Sequence, residues 1–168
     1  DQMMGDIASM GGELFVMDDG WFGDKYPRKN DSSSLGDWVV DKNKLPEGIE
    51  GLIRDAKKHG IKFGIWIEPE MANTTSELYE KHPEWILKAP QRDPVLGRGG
   101  TQVVLDLANP EVQDFVFGVV DNLMTKYPEI YYMKWDDNSS FMDYGSPYLP
   151  QEKQSHLYIE YHRGLHKV

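Results

Sequence analysis

The residues best placed to do chemistry are Lys134, Trp135, Asp136, Asp137 and Asn138, which follow directly on the aromatic run Tyr131-Tyr132-Met133. An ionised, positioned carboxylate at the end of such a run can attack an anomeric carbon. Lys134 stands two residues before Asp136, on the same face of a strand, where its charge is expected to lower the carboxyl's pKa. The same composition recurs twice. Leu14-Phe15-Val16-Met17 runs into Asp18-Asp19-Gly20-Trp21, and Phe63-Gly64-Ile65-Trp66-Ile67 runs into Glu68-Pro69-Glu70. Two adjacent carboxylates, Asp18 and Asp19, suit the vicinal hydroxyls of a pyranose, although neighbours on a strand face opposite ways unless the strand twists or ends there. Trp21 and Trp66 offer flat faces to the C–H side of a sugar. Arg98, flanked by Gly97, Gly99 and Gly100, offers a forked hydrogen-bond donor. Glu68 and Glu70 straddle Pro69 and are placed to orient the site through hydrogen bonds rather than to react. Each residue also has a plain structural alternative: a surface ion pair for Asp136, a cap or loop anchor for the aspartate pair, core packing for each tryptophan and a solvated loop position for Arg98.

The elements that must position these groups follow from periodicity. Residues 13–18, 61–67 and 130–135 read as strands, and 102–106 as a shorter one. Residues 61–67 are apolar on both faces, as a strand of a parallel sheet must be. Ile49, Leu52, Ile53 and Ala56 lie at helical spacing, with Gly60 ending that helix. Residues 3–12 close a helix at Gly11-Gly12, and 75–82 form a short helix before Pro83. Asn109-Pro110-Glu111 opens another as N-cap and first turn, with Val112, Phe115, Val116, Val119, Val120 and Leu123 as its apolar stripe. Residues 151–166 are expected to be helical. Residues 20–45 are a long irregular stretch whose Trp21, Phe22 and Gly36-Asp37-Trp38 suggest an active-site loop. The alternation implies right-handed βαβ units and a parallel sheet in an α/β fold. Three principal strands make a partial (β/α)8 TIM barrel of roughly three consecutive βα units, with carboxylates and tryptophans at the catalytic face.

Composition narrows the function. The chain has 168 residues, enough for one domain, with 39% hydrophobic and 12% aromatic residues to build a core. A net charge of −10 disfavours nucleic acid or an anionic membrane as partner. Mean hydropathy is −0.60, and no apolar run is long enough for a membrane span. No signal peptide is visible, and with no cysteine a cytoplasmic location is favoured without being decided. His162 and His166 are one helical turn apart, but with no third ligand near them a solvated face is the better reading and no metal site is expected.

These segments together resemble the melibiase-type α-galactosidases of glycoside hydrolase family 36. The resemblance rests on Met17-Asp18-Asp19-Gly20-Trp21-Phe22-Gly23, Leu35-Gly36-Asp37-Trp38-Val39-Val40 and Phe63-Gly64-Ile65-Trp66-Ile67-Glu68-Pro69-Glu70-Met71. It continues through Ser76-Glu77-Leu78-Tyr79, His82-Pro83-Glu84-Trp85, Val104-Leu105-Asp106-Leu107 and Lys134-Trp135-Asp136, covering nearly the whole chain in order. It implies Asp136 as nucleophile, Asp18 and Asp19 on galactose hydroxyls, and Trp66, Arg98, Lys134 and Asn138 on the same sugar. It also implies a retaining double displacement on α-galactoside oligosaccharides with no metal or organic cofactor. Two departures stand out. Asp137-Asn138-Ser139-Ser140 replaces an apolar residue followed by Asn-Arg, so a second carboxylate either raises the pKa of Asp136 or points outward. The family's acid/base lies on a later barrel strand. Residues 1–168 are therefore expected to be a barrel fragment without the first strand, the later strands and the N-terminal β-sandwich, and inactive alone. Its open strand edges are expected to promote self-association of the fragment, and the parent is open to homo-oligomerisation. The alternatives are an α-N-acetylgalactosaminidase, galactosyl transfer of the raffinose-synthase type, and a non-catalytic sugar-binding module.

Overall fold

A computed structural model describes residues 1–138 and 143–168. Three parallel strands form the main sheet: β1 (Leu14–Met17), β2 (Lys62–Ile67) and β5 (Ile130–Trp135), in the order β1-β2-β5. β2 is central, and every residue in it but Lys62 is buried, which is why its sequence is apolar on both faces. Among the described residues β5 is an edge strand, with Tyr131, Tyr132 and Trp135 partly open to solvent.

The helices form where capping and periodicity place them. α1 (Gln2–Ser9) ends at Gly11, whose φ of +83° lets the Gly12 N–H reach back to the Ile7 carbonyl at 2.9 Å. α2 (Gly48–Lys58) buries Ile49, Ile53 and Ala56. α3 (Glu77–Lys81) is capped twice. Ser76 Oγ accepts from Tyr79 N, and buried Asp37 accepts from the backbone of Glu77 and Leu78, both at 2.9 Å. α4 (Pro110–Lys126) starts at Asn109, whose side chain accepts from Glu111 N, and buries Val112, Val116, Val119 and Leu123. The expected helix over 151–166 divides into a 3-10 turn, Gln151–His156, and α5 (Leu157–Leu165).

One strand does not join the expected parallel order. β4 (Gln102–Val104) pairs antiparallel with β3 (Met71–Asn73), in a separate two-stranded sheet. Pro69 has no N–H for a ladder, and the chain turns after β2 into β3, which gives β4 a nearer partner than the main sheet. The irregular stretch 20–45 is nonetheless built into the body. Phe22 and Val40 form an antiparallel bridge, and Ser34 N donates to Thr75 O at 2.9 Å. Trp21, Phe22, Trp38 and Trp66 pack ring against ring, with Phe22 and Trp38 centroids 4.6 Å apart.

Candidate active site

The register decides which side chains meet. Ile67 lies opposite Trp135, so β2 and β5 end level, and Met17 lies opposite Ile65, so β1 ends two residues before them on the same side. Asp18, Glu68 and Asp136 therefore leave the sheet at one edge, the C-terminal one. Asp136 N extends the ladder by donating to Ile67 O at 2.8 Å, which fixes the backbone from which its carboxylate projects.

The Asp136 carboxylate is used asymmetrically. Oδ2 accepts from Trp66 Nε1 at 2.9 Å and from Asn138 Nδ2 at 2.6 Å. Oδ1 accepts the Asp137 backbone N–H at 3.2 Å. The indole N–H of Trp66 is the main reason the carboxyl sits below the usual carboxylate range. The Asn138 amide and the Asp137 backbone assist, against partial burial, and the charge of Lys134 contributes least. The direction matches the sequence expectation, but the cause does not. Lys134 Nζ pairs instead with Asp18 Oδ2 at 3.0 Å, which raises the pKa of the ammonium.

Asp18 and Asp19 diverge at the strand end, as their adjacency requires. Asp18 Oδ1 accepts the Asp19 N–H at 2.8 Å and its other oxygen meets Lys134. Asp19 turns to Arg28, which forks onto it with Nε to Oδ1 at 3.0 Å and Nη2 to Oδ2 at 2.7 Å. Arg98 Nε donates to Asp31 Oδ2 at 3.0 Å from a half-exposed side chain. Asn73 is buried and holds the neighbouring loop. Its Oδ1 accepts from Leu35 N and Arg28 Nη1, and its Nδ2 donates to Asp31 O and Thr101 O.

The two glutamates support the site from below. Glu68 is fully buried and its Oε1 accepts the Asn138 backbone N–H at 2.7 Å. Burial pushes the Glu68 carboxyl above its ordinary value despite that bond, and the negative charge of Asp136 pushes the same way. Glu70 accepts from Trp135 Nε1 at 2.9 Å and from Tyr161 Oη at 2.7 Å, joining β5 to α5. The residue after Asp136 in the chain is Asp137. It lines a separate cavity of about 230 Å³ with Glu70, Tyr161 and His162. Ser139 and Ser140, the rest of that departure, lie outside the described residues.

Trp21 is no sugar platform, because it is fully buried and donates its indole N–H to Trp66 O at 2.9 Å. Trp66 is also buried, and its contribution here is the N–H to Asp136. A cavity of about 700 Å³ lies between the 20–45 stretch and α4, lined by residues such as Trp38, Lys42, Asp114 and Lys126. None of Asp18, Asp19 or Asp136 lines it, so the strand-end chemistry and not cavity size locates the candidate site. Arg28 and Asn73 carry no signal in the sequence. Both are polar residues in ordinary loop or strand-end positions, and the fold brings them beneath Asp19.

The profile of the Melibiase family matches residues 1–168. The chain belongs to the Melibiase family. It is 44% identical over 161 residues to the α-galactosidase AgaA of Geobacillus stearothermophilus and 41% identical over 163 residues to α-galactosidase 1 of Pediococcus pentosaceus. These matches cover 96% and 97% of this chain but 21% of each relative, so the chain spans about a fifth of their length. Among solved structures, the α-galactosidase from Lactobacillus brevis superimposes with a TM-score of 0.90 at 39% identity, over 99% of this chain and 22% of that one. A variant of family 36 AgaA solved in complex with raffinose has a TM-score of 0.90 at 40% identity, again over 99% and 22%. Another AgaA variant was solved with stachyose. Members of the Melibiase family thus include α-galactosidases whose structures match this α/β arrangement nearly end to end.

Proposed function

We propose that residues 1–168 are the arc of a (β/α)8 catalytic barrel that carries the nucleophile of a retaining α-galactosidase. In this reading the whole protein removes terminal α-galactosyl residues from oligosaccharides of the raffinose and stachyose kind. One observation carries it: the Asp136 carboxylate stands at the C-terminal edge of a parallel sheet, held ionised by Trp66 and Asn138, beside the Lys134–Asp18 pair. Parallel strands paired in chain order with crossover helices support the barrel arc.

An Asp136 oxygen attacks the anomeric carbon from the β face as the bond to the leaving oxygen breaks. That oxygen takes a proton from a general acid assigned to the part of the protein outside these residues. The product is a covalent β-galactosyl ester on Asp136. Water next attacks the same carbon and loses its proton to the same group, now a base. The ester bond breaks and α-galactose leaves. Oδ2 already accepts two hydrogen bonds, so Oδ1, with a single long one, is the oxygen freer to bond. Asp18, Asp19, Arg98, Lys134 and Asn138 serve the sugar in this scheme, and buried Trp66 serves it through Asp136, as Asn138 also does.

The test is mass spectrometry of the full-length protein after treatment with 2-deoxy-2-fluoro-galactosyl fluoride. An adduct of one fluorogalactosyl unit on the peptide containing Asp136 is expected. A protein that binds galactose yet forms no adduct would instead be a sugar-binding module. Faster turnover of N-acetylgalactosamine donors than of galactose donors would reassign the substrate.

A further inference from the structure

Arg28 is only 3% exposed, and its guanidinium is fully engaged. Nε and Nη2 form the fork on Asp19. Nη1 donates to Ser33 O at 2.9 Å and to Asn73 Oδ1 at 3.0 Å, and Nη2 also reaches Asp31 Oδ1 at 3.4 Å. The cation lies 5.7 Å from the centroid of the Phe22 ring. Burying a guanidinium is costly unless every donor is met and the charge is paired. A planar fork also fixes the plane of the carboxylate it grips, which a single contact does not. The ion pair is asymmetric in burial. The Arg28 side chain is 2% exposed and the Asp19 side chain 30%, so the carboxylate is held from inside and offered outward. On its other side Asp31 uses its second oxygen for Arg98 Nε. Alternating charges thus run Arg98–Asp31–Arg28–Asp19, from the glycine-flanked turn at 98–100 to the end of β1.

We propose that Arg28 is a positioning residue that sets the carboxylate plane of Asp19 toward one sugar hydroxyl, and that Asp31 ties Arg98 to the same hub. Contacts from β1 and from the 98–100 turn are then presented to the sugar as one unit. This rests on the proposed function, in which Asp19 and Arg98 touch the galactosyl group.

The test uses the full-length protein and a set of mono-deoxygalactosides, reading the ratio of kcat/KM between the parent galactoside and each deoxy analogue. Asp19→Asn first identifies the hydroxyl. For that position the ratio should collapse about 10- to 100-fold, the value of a hydrogen bond to a charged group. Arg28→Lys keeps the buried charge but loses the fork, and should lower the same ratio about 10-fold while leaving the ratios for other hydroxyls intact. Asp31→Ala, which frees a longer and more exposed contact, should lower it about 3-fold. General structural damage would slow all analogues together and leave the ratios unmoved. If Asp19→Asn is selective and Arg28→Lys is not, the positioning role is refuted and the sugar contact stands. If Asp19→Asn itself is not selective, the sugar contact fails and the positioning role with it. Should Arg28→Lys not fold, Asp31→Ala decides: an unchanged ratio overturns the proposal.

Discussion

Replacing Trp66 by Phe tests whether the indole N–H, rather than the nearby lysine, keeps Asp136 ionised. The variant retains a ring in the aromatic cluster, where Phe22 stacks on Trp66 at 6.2 Å, and removes the 2.9 Å bond to Oδ2. A hydrogen bond to a charged acceptor is worth roughly 1.5–3 kcal/mol, and the partial exposure of Asp136 places this one at the lower end. The sign follows from the depressed carboxyl. In the proposed reaction the attacking form is the anion, present above its pKa and lost as pH falls through it. Removing the donor raises that pKa, so activity is lost earlier on acidification. At a pH on the acid limb, kcat/KM should fall about 10-fold further than at neutral pH, since about 1.4 kcal/mol is a factor of ten. Packing loss should lower stability by roughly 1–2 kcal/mol without shaping the pH profile. The assay is the pH dependence of kcat/KM for a nitrophenyl α-galactoside in the full-length protein. Asn138→Ala should move the acid limb the same way by less, and Lys134→Ala least, because that ammonium is engaged by Asp18. A Trp66→Phe acid limb superimposable on the parent's, or a larger displacement from Lys134→Ala, would show that the indole is not what holds Asp136 ionised.

Two further outcomes are expected. Glu68 holds its proton more tightly in the fold than an ordinary carboxyl, so its contribution to stability is full at low pH and declines as pH rises through the ordinary carboxylate range toward the folded-state value. Glu68→Gln should therefore equal the parent in denaturant unfolding at acid pH and exceed it at neutral pH, and a neutral-pH loss would show that the fold favours the Glu68 carboxylate over its protonated form. Gly164 on α5 faces the Leu107 carbonyl so closely that an added Cβ would lie 1.7 Å from the oxygen. Gly164→Ala should cost about 3 kcal/mol or more by displacing α5, measured as a lowered denaturation midpoint.

Much of the site is legible in the sequence because strand ends and helix caps are local events. Apolar runs stopping in carboxylates mark Asp18, Glu68 and Asp136, and the parallel pairing brings those ends to one edge of the sheet. Asn109 and Pro110 announce α4 because a cap needs only its own first turn. Residues 102–106 are less transparent. Their alternation marks a strand but not its partner, and β3, formed just after Pro69, takes it into an antiparallel pair. The order of residues along the chain nominates the candidate groups, marks most of the strands and helices though not β3, and identifies the family to which they belong, since these depend on residue type and short-range periodicity. How the charges are shared is a property of the folded chain: Lys134 with Asp18, Arg28 beneath Asp19, Trp66 and Asn138 on Asp136, Glu68 buried behind them. Those pairings join residues up to 116 positions apart, and each is set by which carboxylate lies within about 3 Å once the sheet has formed, a distance that local sequence does not encode.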